Sequence, residues 1–311
     1  MLPCKDILIE EKEEGLEKVH TRNVISASRR TDVPAFHSRW FMCRLAAGFA
    51  EYRNPLNGQT YRVSLDPANV RAFVFWTRNP SPLMRYLPEL SRRGTPFYFL
   101  FTLTAYPRSI ERSTPTFGQA VKNFRRLASR IGPECVRWRY DPIVVSKEMN
   151  GDFHRQNFSR IARALAGATE VCIVSFLDMY GKVKRNLAAL EDRTGFQRED
   201  IPPASRWALA SDLAKIGAGY GIRLLACCED GLVRGAVEKA CCVDSNLLDR
   251  IAPSEERLPI RPTREECGCA ASRDIGAYDT CPHGCVYCYA NASPEAARRR
   301  YAKMEVNLPS L

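Results

Sequence analysis

Short apolar runs alternate with longer amphipathic stretches along most of the chain. The runs are rich in β-branched and aromatic residues, a composition that favours buried strands. The predicted strands cover residues 24–28, 72–77, 97–102, 136–140, 171–176, 223–227 and 274–278. The stretches between them have helical periodicity and predict helices at 37–47, 82–92, 117–131, 153–166, 182–191 and 205–219. A small hairpin of residues 51–53 and 61–64 interrupts this pattern.

Repeated strand–helix units predict an α/β fold built on a parallel sheet. We expect a partial or near-complete (β/α) barrel of the TIM type, because six or seven units can be counted in a chain of 311 residues. Residues 1–22 are predicted to be an N-terminal extension and residues 23–311 a single barrel domain. Within that domain, residues 227–290 form a cysteine-rich region.

Polar residues follow each predicted strand. In a parallel barrel the C-terminal strand ends meet on one rim, where barrel active sites are built. The charged residues at these ends are therefore candidates for catalysis and ligand binding: Arg29, Asp32, Arg78, Arg139, Asp141, Asp178 and Glu229. For any single one of them, a helix cap or a salt bridge at the rim is an equally good interpretation.

Composition limits the classes of protein to which the chain can belong. The apolar runs are far shorter than the roughly 20 residues needed to cross a bilayer, and the first residues lack the apolar stretch of a secretory signal. We therefore predict a cytoplasmic protein without a membrane span. In a reducing compartment its 13 cysteines are expected to be thiols or metal ligands. The net charge of +11 permits nucleic-acid binding, but the basic residues are too scattered to select that partner.

Three cysteines have the spacing C-x3-C-x2-C, namely Cys281, Cys285 and Cys288. Cysteines placed at random in this chain would produce such a triplet roughly 0.02 times. Three thiolates on one loop can bind three irons of a 4Fe-4S cluster and leave the fourth iron open to a ligand. His283 lies inside the loop, where it could bind metal, line the site or face solvent.

The loop, with Tyr287 before its last cysteine and Tyr289-Ala290 after it, resembles the cluster loop of the radical S-adenosylmethionine superfamily. The resemblance implies that S-adenosylmethionine chelates the open iron. Reduction by a donor such as flavodoxin or ferredoxin would then release a deoxyadenosyl radical that abstracts a substrate hydrogen. Tyr287 is expected to pack under the cluster. Nothing in the sequence identifies the substrate.

The position of the loop differs from that superfamily, in which it follows the first strand of a partial (β/α)6 barrel. A circular permutation reconciles the two arrangements. Residues 274–278 would be the first strand, paired beside 24–28, and 294–304 the first helix. The segment 267–291 also resembles an uncharacterised prokaryotic family, a domain of unknown function noted for a C-terminal cysteine cluster of the radical S-adenosylmethionine type.

A second group of thiols precedes the loop: Cys227-Cys228, Cys241-Cys242 and Cys267-Gly268-Cys269. Four of them could hold an auxiliary iron–sulfur cluster or a tetrahedral zinc ion, and we favour Cys227, Cys242, Cys267 and Cys269. The alternative is that the pair at the strand end is buried and behaves as small apolar side chains.

The leading hypothesis is a radical S-adenosylmethionine enzyme of unknown reaction. One alternative is a barrel stapled by zinc that binds nucleic acid, with Cys267, Cys269, Cys285 and Cys288 as ligands. Another is an iron–sulfur protein for electron transfer or redox sensing. The polar rim favours an enzyme, since an electron carrier seldom needs a substrate cavity.

Overall fold

The computed structural model describes residues 22–311, so the predicted N-terminal extension lies outside the described residues apart from Arg22. The strands are β1 (Asn23–Ala27), β2 (Phe49–Arg53), β3 (Thr60–Ser64), β4 (Val70–Thr77), β5 (Phe97–Thr102), β6 (Val136–Ile143), β7 (Val171–Phe176), β8 (Arg223–Ala226), β9 (Val237–Lys239) and β10 (Arg273–Asp274). The helices are α1 (Val33–Phe36), α2 (Ser38–Ala47), α3 (Ser81–Met84), α4 (Leu87–Arg92), α5 (Phe117–Ile131), α6 (Gly151–Leu165), α7 (Gly181–Thr194), α8 (Pro203–Ala218), α9 (Ser245–Ile251) and α10 (Pro294–Ala302). Within residues 22–311, no helix is both long and apolar enough to cross a bilayer.

Eight strands form one sheet in the order β10-β1-β4-β5-β6-β7-β8-β9, and each neighbouring pair is parallel. β2 and β3 form a separate antiparallel hairpin. The predicted α/β fold with a parallel sheet is therefore confirmed. The sheet does not close into a complete barrel, because β9 and β10 are open edges of the described sheet. These edge strands have three and two residues.

The two faces of the sheet are covered by different parts of the chain. On one face, Phe75 and Phe101 pack against Phe41 of α2 and Phe124 of α5, with ring centroids 5.4 and 4.9 Å apart. The other face carries a second apolar cluster that includes Val74, Tyr98, Leu100, Ile173 and Leu225 of the sheet with Ala240, Val243, Leu247 and Leu248. The helices from α1 to α8 thus cover one face, and the segment that contains α9 covers the other.

The predicted helix at 82–92 is wrong in one respect, because it consists of two short helices, α3 and α4. Pro88 has no amide hydrogen, and in a continuous helix its ring would clash with the carbonyl of Met84. That carbonyl instead accepts a hydrogen bond of 3.1 Å from Arg130 Nη1 on α5.

The segment predicted as the strand 274–278 lies beside β1, as expected, with Ile25 and Ser26 in register with Arg273 and Asp274. The strand is shorter than predicted, because only Arg273–Asp274 pairs with β1. Gly276 then approaches Ser28 so closely that a Cβ atom at position 276 would lie 2.0 Å from Ser28 Oγ. The chain leaves the sheet here and enters the cysteine loop.

Candidate functional site

A cavity of about 850 Å³ opens at the C-terminal ends of the parallel strands. Its volume lies within the range that holds cofactors and small molecules. Glu229 is outside the lining, and its carboxylate accepts a hydrogen bond of 2.9 Å from the backbone nitrogen of Phe176. The other charged residues predicted at the strand ends all line the cavity: Arg29, Asp32, Arg78, Arg139, Asp141 and Asp178.

The cysteine loop, residues 281–288, is held against neighbouring segments by its backbone. Val286 N donates to Ile110 O at 3.0 Å, in the segment that follows β5. At the start of the loop, Cys281 O accepts from the side-chain amide of Asn291 at 2.7 Å. The loop is therefore anchored at more than one point along its length.

The three loop thiols lie together at the cavity wall. Cys281, Cys285 and Cys288 all line the cavity. Burial raises the pKa of each thiol, that of Cys285 to about 12. The three sulfurs influence one another electrostatically, yet no hydrogen bond joins any two of them in the described structure. Thiols that are near one another without contact suit a cubane, because each thiolate binds a different iron.

Asp32 is the main acceptor beside the loop. Its carboxylate accepts hydrogen bonds from Ala35 N at 2.9 Å, Thr77 Oγ1 at 2.7 Å and Arg78 N at 2.7 Å. Its Oδ2 also lies 2.8 Å from His283 Nε2. The helix-cap interpretation is therefore correct for Asp32, which caps α1. His283 does not face solvent, since it is only 3% exposed and lines the cavity.

Tyr287 belongs to a buried polar group that includes an unpredicted residue, Glu111. The Tyr287 hydroxyl donates to Glu111 and accepts from Arg78. Arg78 Nη1 also lies 2.9 Å from Glu111 Oε1. Burial lowers the pKa of Arg78, but the charge of Glu111 and its neighbours raises it above the ordinary value. Glu111 forms a β-bridge with Cys285, so this charged pair lies directly beside the loop.

Asp274 is a second residue of the site that was not predicted from the sequence. Its carboxylate accepts from Ser26 Oγ at 2.7 Å, Ser28 Oγ at 2.6 Å and Arg29 N at 2.8 Å. These bonds fasten the segment before the cysteine loop to the end of β1. The available signal was a carboxylate at the start of a segment predicted to be a strand, where apolar residues prevail.

Two further ion pairs line the cavity. Arg139 pairs with Asp141, which also accepts from Ser175, and Arg264 pairs with Asp178. Arg139 Nε is buried and has no hydrogen-bond partner among the described residues. An unpaired buried donor of this kind costs free energy.

The second group of thiols forms a contact cluster, here called the thiol cluster. Cys227 Sγ lies 3.7 Å from Cys228 Sγ and 3.6 Å from Cys242 Sγ. Cys267 and Cys269 pack in the same buried group, in which Val243 N donates to Cys269 Sγ at 3.4 Å and Cys267 Sγ lies 3.7 Å from Thr263 Oγ1. The structure thus brings together the four favoured cysteines and adds Cys228, and all five line the same cavity as the loop.

The backbone explains how two adjacent thiols reach one cluster. Successive side chains of a strand point to opposite faces of a sheet. Cys228 follows β8 with φ of +54°, a left-handed conformation that residues other than glycine seldom adopt. This turn places the side chain of Cys228 beside that of Cys227.

The donor set fits metals that prefer sulfur. Within residues 22–311, no three His, Cys, Asp or Glu side chains already surround a common point as metal ligands. Eight thiols nevertheless border one cavity, three from the loop and five from the thiol cluster. Soft thiolate ligands select zinc and iron–sulfur clusters over harder cations.

Comparison with known proteins gives a family but no activity. No curated protein matches the chain. A solved structure of Rhizobium etli pyruvate carboxylase crystallized without acetyl coenzyme-A is 10% identical over 66% of this chain, with a TM-score of 0.21. The chain spans 23% of that protein, and a likeness at this level carries no argument. The family described as "Domain of unknown function (DUF1848)" matches residues 24–290. Since that match covers most of the sequence, the chain belongs to the DUF1848 family.

Proposed function

We propose that this chain is a radical S-adenosylmethionine enzyme in which Cys281, Cys285 and Cys288 bind a 4Fe-4S cluster. One observation carries the proposal. The three thiols of a C-x3-C-x2-C loop lie together at the wall of a cavity of about 850 Å³ that is lined by charged side chains. A cluster with three protein ligands keeps one open iron, which is useful only where a ligand can reach it.

When bound, the cluster and S-adenosylmethionine would supply a deoxyadenosyl radical after reduction by a donor such as flavodoxin or ferredoxin. The residues of the chain orient the loop and bind the ligands. Asp32 and His283 fix the loop beside α1. The Arg29 guanidinium stacks on Trp76 at 5.3 Å and has no carboxylate partner in the described structure, so its charge is available to a ligand carboxylate.

The order of strands supports a circularly permuted partial barrel. β10 lies beside β1 in the sheet although it is the last strand of the described chain. The cysteine loop follows β10 and precedes α10, the order in which the loop follows the first strand in the radical S-adenosylmethionine superfamily. The C-terminal ends of parallel strands are also where barrel enzymes place their catalytic groups.

Anaerobic reconstitution with iron and sulfide tests the proposal. We expect about four irons and four sulfides per chain at the loop, and deoxyadenosine from S-adenosylmethionine after chemical reduction. The variant with Cys281→Ala, Cys285→Ala and Cys288→Ala should lose both. Cys43→Ala is a matched control, because it removes a thiol of α2 that does not line the cavity.

Two results would contradict the proposal in different ways. In the first, the cluster forms but its spectrum does not change when S-adenosylmethionine is added, and neither deoxyadenosine nor methylthioadenosine is produced. That result would favour an electron-transfer protein. Stoichiometric zinc at the loop after anaerobic purification, without iron, would favour the barrel stapled by zinc.

A further inference from the structure

We propose that the thiol cluster is a separate centre that binds one tetrahedral metal ion of the zinc type, through Cys227, Cys242, Cys267 and Cys269. This inference does not depend on the chemistry proposed for the cysteine loop. It rests on contacts between side chains from three different segments of the chain.

The spacing of the sulfurs favours a single ion over a cubane. Four thiolates about 2.3 Å from a tetrahedral zinc ion lie about 3.8 Å from one another. Cys227 Sγ lies 3.6 Å from Cys242 Sγ and 3.7 Å from Cys228 Sγ, and both distances are close to that value. In a cubane each thiolate binds a different iron, so the sulfurs lie farther apart. The loop thiols, which no hydrogen bond joins, fit that second arrangement instead.

Burial selects four ligands from the five thiols. Cys227, Cys242, Cys267 and Cys269 are 8, 7, 7 and 3% exposed, whereas Cys228 is only partly buried. Structural zinc sites are closed and have four protein ligands. We therefore assign the four buried thiols as ligands and Cys228 as their more exposed neighbour.

The guanidinium group of Arg264 lies beside the proposed centre. Four thiolates around a divalent ion carry a net charge of −2. Arg264 Nη2 lies 3.3 Å from the carbonyl of Cys227 and 4.0 Å from its Sγ. A cation at this position offsets part of the negative charge of such a centre.

The backbone between two of the ligands is fitted to the site. A Cβ atom at position 268 would lie 3.0 Å from Cys241 Sγ. Glycine therefore allows the Cys267-Gly268-Cys269 hook to pack closely against the segment that carries Cys242. An ion held there would connect the end of β8, the segment after β9 and the segment before β10. These segments form one wall of the cavity and cover one face of the sheet.

Cobalt provides a probe that reports both stoichiometry and geometry. The experiment uses the full chain with the three loop cysteines changed to alanine, reduced and kept anaerobic, so that the loop cannot contribute ligands. We expect it to bind one Co²⁺ per chain, with the strong visible bands of tetrahedral cobalt thiolate, and one Zn²⁺ to displace that ion. Adding Cys242→Ala or Cys269→Ala should abolish tight binding. Adding Cys241→Ala or Cys228→Ala, the matched controls, should preserve it.

Several results would overturn the inference. They are the failure of the loop variant to bind Co²⁺ or Zn²⁺, its loading with iron and sulfide as a cubane, and a disulfide among the five thiols after anaerobic purification. Loss of the ion in Cys228→Ala, but not in Cys227→Ala, would overturn the assignment of ligands.

Should the alanine variants fail to fold, Cys269→His keeps a zinc ligand and should retain the ion with an altered cobalt spectrum. An unaltered spectrum would exclude residue 269 as a ligand. No readout involves deoxyadenosine, so failure here is distinct from failure of the proposed enzyme.

Discussion

The carboxylate of Glu111 is buried, and we expect its removal to lower the free energy of unfolding. Glu111→Ala would leave Arg78 as an unpaired charge in a site where the two side chains are 3 and 11% exposed. Breaking a buried ion pair on one side typically costs about 3–5 kcal/mol. Urea denaturation of the metal-free, reduced protein should show a loss of that size.

Glu89→Ala is the matched control for this measurement. Glu89 pairs with Arg93 at 3.4 Å, but the two side chains are 40 and 29% exposed. Its removal should cost about 1 kcal/mol or less. Equal losses in the two variants would show that the pair beside the loop is not buried as described.

His154 should make stability depend on pH. It is fully buried between Tyr140 Oη, 2.8 Å from Nδ1, and the Val144 carbonyl, 3.0 Å from Nε2. Burial lowers its pKa from 6.5 to about 4. The neutral imidazole therefore stabilises the fold fully above pH 6.5, and this contribution, about 3 kcal/mol, is lost as the pH falls from 6.5 toward 4.

His154→Gln removes this titration while keeping a donor and an acceptor. Urea unfolding free energies between about pH 7 and pH 5 should fall less steeply in the variant than in the unaltered chain. Burial also lowers the pKa of His37, so part of the slope should remain in both proteins. Identical slopes would mean that His154 is not the group responsible.

Single residues were predictable where the signal is local in sequence. The spacing of Cys281, Cys285 and Cys288 is such a signal, and the thiols indeed lie together. Glu111 and Asp274 were missed because their partners are distant: 176 residues separate Glu111 from Tyr287, and 246 separate Asp274 from Ser28. No spacing rule connects positions that only the fold brings together.

At the scale of elements, the contact between β10 and β1 depends on a glycine. In Gly276→Ala the new Cβ would lie 2.0 Å from Ser28 Oγ and 2.5 Å from Ser28 Cβ, so one of the two segments must move. Overpacking of this kind typically costs about 1–3 kcal/mol. We expect a lower urea midpoint and a smaller content of reconstituted iron per chain, because β10 positions the cysteine loop.

Gly118→Ala on α5 is the control, since the added carbon meets no atom within 4 Å apart from its chain neighbours and the backbone of its own helix. Alanine is the better helix former, so this variant should be at least as stable as the unaltered chain. Unchanged stability and iron content in Gly276→Ala would refute the close packing of β10 on Ser28.

Element prediction succeeded where periodicity runs over several turns or a whole strand. β5, β7 and α5 occupy the predicted residues without any shift. β9 and α1 were missed because three or four residues are too short for a period to be read. The break between α3 and α4 was visible only as Pro88, whose effect on a helix depends on its position within it.

For the whole molecule, the zinc ion that we propose for the thiol cluster should stabilise one wall of the cavity, so its removal should loosen that wall. We expect a zinc chelator to increase proteolytic cleavage within residues 227–272, while β4 to β7 and their helices stay protected. Mass spectrometry of the fragments measures this, with Cys242→Ala as a control in which the chelator has no further effect. Cleavage unchanged by the chelator would contradict a stabilising role of the ion.

The parallel sheet could be predicted from the sequence, but its closure could not. Repeated strand–helix units establish parallel pairing through local patterns. Whether the outer strands meet depends on the lengths of β9 and β10, and these follow from tertiary contacts such as that of Gly276 with Ser28.

The late position of β10 in the chain has a consequence for folding. β1 can pair with β4 early, but 248 residues separate Ser26 from Asp274, a contact of very high sequence separation. Until that contact forms, the other edge of β1 exposes unpaired backbone groups that another chain could join. A chain truncated before Asp274 would thus be prone to aggregate and would lack the loop thiols. β10 therefore both positions the cysteine loop and covers the free edge of β1.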